Sequence, residues 1–124
     1  MQGRESTAQR FMSIYNNPEE FDDHLIQSGE TLVIAHFHAD TSGPSMKMLP
    51  KIKEMASQYP DVSFITVDVN SSEELTQRYN ISTTPTFIFF KSGAKKETVI
   101  GANEEALENC MHRLKDEPSS SEQT

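Results

Sequence analysis

A chain of 124 residues suffices for one domain with a modest core and falls short of two. With 19 Asp plus Glu against 11 Lys plus Arg, the net charge of −8 repels phosphate backbones and anionic lipids, so neither nucleic acid nor a membrane is an expected partner. One cysteine, Cys110, excludes an internal disulfide framework, and neither a signal-peptide core nor a membrane-length apolar run is present, which points to a soluble cytoplasmic protein.

In chain order, "RFMSIYN" (10–16) is a short strand candidate. "NPEEFDDHLIQSG" offers Asn17 as cap, Pro18 at the first helical position, acids in the first turn and Gly29 as stop, so it predicts a helix. "TLVIAHFHA" (31–39) is an apolar, β-branched run that predicts a strand buried on both faces. From Pro44 to Gln58, Met48, Leu49, Ile52, Met55 and Ala56 keep helical spacing. "DVSFITVDVN" predicts another buried strand, and "SSEELTQRYN" a short helix capped by Ser71 or Ser72. "TFIFFKSGAKKETVI" predicts a hairpin around Ser92-Gly93, and "NEEALENCMHRLK" a last helix. Residues 1–9 and 116–124 are polar, predicted disordered tails around a domain at 10–115. "NSS" at Asn70 and "NIS" at Asn80 match a glycosylation pattern that carries little weight without a secretory signal.

The order β-α-β-α-β-α-β-β-α predicts an α/β sheet, parallel early and antiparallel late, with sites beyond the carboxyl ends of central strands. "DTSGPS" lies at such an end.

These residues resemble the thioredoxin family over roughly 10–115. The resemblance is carried by Phe37 and Ala39 leading into the motif, "SGPS" in the place of Cys-Gly-Pro-Cys, Pro50 in the following helix, "VDVN", "YNISTTPTFIFFKSG" and "IGA" at 100–102. It implies a thioredoxin fold, a central mixed sheet flanked by helices on both faces, with thiol–disulfide exchange as the family's activity and no cofactor. It puts Ser42 in the attacking-cysteine position and Ser45 in the resolving one. It puts His36 where the family has a buried acid beneath the second cysteine. Thr66 stands in the place of a lysine commonly paired with that acid, Thr41 in the place of Trp, and Met46 in the place of Lys. Thr41, Gly43, Pro44, Thr84, a cis-Pro85, Gly101 and Ala102 are the implied groove residues, which take a protein or peptide chain in strand-like fashion.

In the family, a thiolate at a helix N-terminus attacks a disulfide and the second thiol displaces the product. A serine hydroxyl does neither, and Cys110 has no resolving partner, so the chain as written runs no dithiol exchange. Two explanations of the serines stay open. Either they replace cysteines of a redox-active parent, which would take a thioredoxin reductase as partner, or the chain lost redox chemistry and binds extended peptides. Pairing of two copies through the motif face is open as well.

His36 and His38 share one strand face, and Asp40 follows, but a metal site needs more ligands than these. Buried neutral imidazoles are the expected reading, with the His36 pKa below its ordinary value, and no metal is expected. A Ser42–His36 hydrolytic dyad lacks a group to orient its base. Cys110 shares a helical stripe with Leu107, Met111 and Leu114 and is expected in the core, whereas His24 and His112 are expected at the surface.

Overall fold

The computed structural model of the protein describes residues 12–15 and 17–117. A five-stranded sheet runs in the order β1-β3-β2-β4-β5, with β1 Met12–Ile14, β2 Val33–His38, β3 Ser63–Asp68, β4 Thr86–Lys91 and β5 Ala94–Ile100. The first three strands are mutually parallel, while β4 runs antiparallel to β2 and β5 to β4. The predicted tails lie outside the described residues, apart from Asp116 and Glu117.

Among the described residues, five helices cover the sheet: α1 Pro18–Ser28, α2 Gly43–Lys47, α3 Leu49–Gln58, α4 Glu73–Arg78 and α5 Glu104–Lys115. Because side chains alternate along a strand, each central strand feeds two cores. Ile34, Phe64, Phe87 and Phe89 pack with Ile52 and Met55 of α3 and Leu107, Met111 and Leu114 of α5. Val33, Ala35, Phe37, Ile65, Ile88 and Phe90 pack with Phe21 and Leu25 of α1 and Leu75 of α4. Every residue of β2 and β4 is buried, His36, His38, Thr86 and Lys91 included, which explains why the remaining positions are apolar.

Local chemistry sets the boundaries. The Asn17 carboxamide oxygen accepts from the backbone N–H groups of Glu19 and Glu20 at 2.7 and 3.2 Å and starts α1. Ser92 and Gly93 both have positive φ, 55° and 78°, as a two-residue hairpin turn matched to strand twist demands. The helix expected to run unbroken over 44–58 is two helices interrupted at Met48. Pro50 supplies no N–H and its ring crowds the carbonyl four residues back, so the Met48 N–H turns to Ser45 O at 3.2 Å and the helix restarts.

Candidate functional site

The segment "TSGPS" joins the carboxyl end of central strand β2 to α2. Ser42 is the N-cap of α2, its Oγ accepting from the Ser45 N–H at 3.1 Å and donating to Thr84 O at 3.3 Å. The hydroxyl therefore ties the motif to the neighbouring Thr84–Pro85 segment, whose peptide bond is cis. Gly101 N–H bonds Pro85 O at 2.8 Å and holds the start of the Gly101-Ala102 segment against the same proline. These contacts draw together Ser42, Thr84, Pro85 and Gly101, and Gly43 and Pro44 follow Ser42 on the surface. Thr41 is exposed, Pro85 is buried and Ala102 is half-buried. Two large apolar side chains flank these residues in sequence: Met46, 44% exposed, and Ile100, 66% exposed.

Ser45 is 0% exposed, and its hydroxyl is fully engaged. Oγ accepts from the Ala39 N–H at 3.2 Å and lies 3.0 Å from His38 Nδ1. His38 Nε2 lies 2.8 Å from Asp40 Oδ1, and that carboxylate is largely solvent-facing. The carboxylate accepts, so Nε2 carries the ring proton, Nδ1 is the free acceptor, and the Ser45 hydroxyl donates to it. An Asp–His–Ser chain results, in the order of a hydrolytic triad. It performs no acyl transfer, because a nucleophile with no solvent exposure meets no substrate carbonyl.

The imidazole beneath Ser45 is thus His38, where the sequence pointed to His36. The two rings share a face, 5.2 Å apart, and the one nearer the motif reaches the hydroxyl. His36 lies deeper, 1% exposed, opposite Thr66 in the strand register and stacked on Phe87. Neither of its ring nitrogens has a hydrogen-bond partner among the described residues. Desolvation, helped by the neighbouring His38, lowers its pKa from 6.5 to about 3. Ser42 bonds Thr84 and not His36, so the dyad does not form. Among the described residues, no cluster of three or more His, Cys, Asp or Glu is placed to hold a metal.

The sequence reading gave His38 as a buried neutral imidazole and weighed it with Asp40 as a metal ligand, but did not foresee their pairing with Ser45. The available signal was the His-x-His alternation followed by Asp40, which put a second imidazole and a carboxylate ahead of the motif. His24 also departs from its expected surface place. It is half-buried between Tyr15 Oη at 2.9 Å and Ser63 Oγ at 2.8 Å, and burial lowers its pKa. His112 is exposed, whereas Cys110 is buried in its helical stripe. Burial, with Glu97 nearby, pushes that thiol up to about 11.

Known proteins share this fold. The thioredoxin family model matches residues 12–113. Thioredoxin of Geodia cydonium is 40% identical over 97 residues, covering 77% of this chain and 92% of that protein. Thioredoxin-T of Drosophila melanogaster is 36% identical over 98 residues, covering 78% of this chain but 62% of that protein. The crystal structure of Fasciola hepatica thioredoxin superposes with a TM-score of 0.82 at 30% identity, over 84% of this chain and all of that one. The chain belongs to the thioredoxin family. No helix among the described residues is long and apolar enough to cross a membrane.

Proposed function

We propose that this chain binds extended segments of protein partners noncovalently, in the groove beside Pro85, and performs no thiol–disulfide exchange as it stands. One observation carries the reading: both hydroxyls at the motif are bonded in place of reactive thiols, Ser42 to Thr84 O and Ser45 to His38 and Ala39. Ser45 has one donor, the Ala39 N–H, and one acceptor, the His38 imidazole oriented by Asp40, so its hydroxyl is held as a structural group. The residues that the family resemblance assigns to a groove, Gly43, Pro44, Thr84, Pro85, Gly101 and Ala102, are all present in the chain, and a strand-like peptide is held mainly by backbone hydrogen bonds, which need no cysteine. Met46 and Ile100 offer apolar contact for its side chains. A cytoplasmic setting and the absence of a cofactor belong to the same proposal.

Fluorescence anisotropy with a library of extended, cysteine-free peptides tests it. Saturable binding that ignores added reductant and is lost in Ala102→Arg is the expected result. No binding by any member, in a folded protein, would sink the reading.

The unaltered Gly43-Pro44 spacing and the Ser42 cap favour a second reading, an exchange enzyme disabled by serines at 42 and 45. On that reading a thioredoxin reductase is the partner, and Ser42→Cys/Ser45→Cys would reduce insulin disulfides vigorously with one. Pairing of two copies through the motif face would show in sedimentation as a dimer that bound peptide dissociates.

A further inference from the structure

Asp40 stands at the rim of the motif, with one carboxylate oxygen held and most of the side chain in solvent. Its Oδ1 accepts from His38 Nε2 at 2.8 Å, and the side chain is 80% exposed. We propose that this carboxylate, with Glu104 and Glu105 on the other side of Pro85, selects a cationic partner: an extended protein segment with Lys or Arg flanking the residue that lies against Pro85. The inference rests on the groove reading and adds to it the chemical class of the segment.

Strand order puts the acids on both sides of the proline. Pro85 leads into β4, whose first residue, Thr86, pairs with Phe37 of β2 on one side and with Ile100 of β5 on the other. The exit of β2 carries Asp40. The exit of β5 carries Glu104 and Glu105 in the first turn of α5. All three acids are exposed. Met46 and Ile100 are exposed in the same two segments and supply apolar contact that a merely solvated acidic patch lacks.

Glutamates in a first turn serve the helix dipole whatever else they do, so their presence alone decides nothing. The pairing of charges decides. Away from the motif, Lys51 meets Glu108, Arg78 meets Asp22, Arg113 meets Glu97 and Lys115 meets Asp61, at 2.8 to 3.3 Å. Among the described residues, Glu104 and Glu105 have no ion pair, and the partner of Asp40 is an imidazole. Lys51, whose charge Glu104 reaches, is committed to Glu108. The rim segments themselves offer one ammonium, Lys47, at the far end of α2. Three carboxylates against one ammonium leave negative charge for a partner to neutralise. A carboxylate already fixed by a hydrogen bond also loses little freedom when a cation arrives.

The test uses the full chain and one extended, cysteine-free peptide in three forms, with Lys, Gln or Glu at the positions flanking a central apolar residue. Fluorescence anisotropy reads the affinities. The Lys form should bind about tenfold tighter than the Gln form at about 0.05 M salt, as two or three rim ion pairs together give, and the Glu form should bind more weakly than either. At about 0.5 M salt the three should converge, because charges on an open rim are screened. Asp40→Asn keeps an oxygen for the His38 ring and removes only the charge. Combined with Glu104→Gln and Glu105→Gln, it should erase the preference for Lys. Asp23→Asn/Glu30→Gln/Glu117→Gln removes three exposed charges elsewhere and should keep that preference. Equal loss of preference in the two triple variants would mean attraction to net charge alone and would overturn the proposal. Equal affinity for all three peptides would also overturn it, while leaving the groove standing. No binding of any form would remove both.

Discussion

The imidazole of His36 lies nearly flat on the ring of Phe87, with centroids 4.7 Å apart and planes 12° apart. A ring so placed is held neutral, because a proton on it would have neither water nor an acceptor to solvate its charge. The unfolded chain takes up that proton near pH 6.5 and the folded chain only near about 3. Stability from this residue is therefore complete above pH 6.5 and drains as pH falls toward the folded value, on the order of 1 kcal/mol for each pH unit. Urea unfolding of His36→Leu between pH 7 and 4 should show a flatter midpoint. A slope equal to the parent's would mean that the acid sensitivity lies elsewhere. Since burial also lowers the pKa of His24, His24→Gln in the same background should remove part of the remaining slope.

Ser45→Ala strips the partner from two buried groups at once, the Ala39 N–H and His38 Nδ1. The expected cost is about 1–3 kcal/mol, the penalty of unsatisfied buried polar groups. Ser42→Ala loses a helix cap and the link to Thr84, for about 1 kcal/mol. Denaturant midpoints should rank Ser45→Ala below Ser42→Ala, and the reverse order would assign the structural weight to the cap.

Lys91 is buried at the end of β4, and its ammonium closes the carboxyl end of α5. Nζ donates to Leu114 O at 2.7 Å, to Lys115 O at 3.4 Å and to Glu117 O. Positive charge at this helix end also opposes the negative pole of the dipole. Lys91→Met should lower stability by about 1–3 kcal/mol and speed amide hydrogen exchange in the last turn of α5. Unchanged exchange there would show that the helix end is held by its packing alone.

Cys110 should be chemically quiet. Its thiol is buried in the stripe of α5 and pushed up to about 11, so almost none is thiolate near pH 8. A disulfide reagent should leave the native protein untouched at pH 8 and modify it promptly in urea. Fast labelling of the folded chain would place the thiol at an accessible surface instead.

Much of this molecule is written locally. Asn17-Pro18 and the acids after them specify the start of α1 by contacts within one turn. Ser92-Gly93 specifies the hairpin, because two successive positive φ values suit few residue pairs. The apolar run of β2 announces a strand covered on both faces, and the stripe holding Cys110 announces its burial. Even the loss of exchange chemistry is a matter of atom type at 42 and 45, readable without coordinates. What sequence could not supply was which partner each polar side chain would choose. Residues 36 and 38 have the same periodicity and face the same way. Only the packing of α2 and Phe87 against that face gives one ring a stacking partner and the other the Ser45 hydroxyl. His24 departs from its expected surface place for the same reason, since one of its partners, Ser63, comes from β3, 39 residues away, and the other, Tyr15, from the connection that follows β1. Hydrophobic period reports which face is covered, because burial averages over many contacts. A hydrogen bond joins two particular atoms within about 3 Å, and for residues far apart in sequence that separation exists only once the chain has closed on itself.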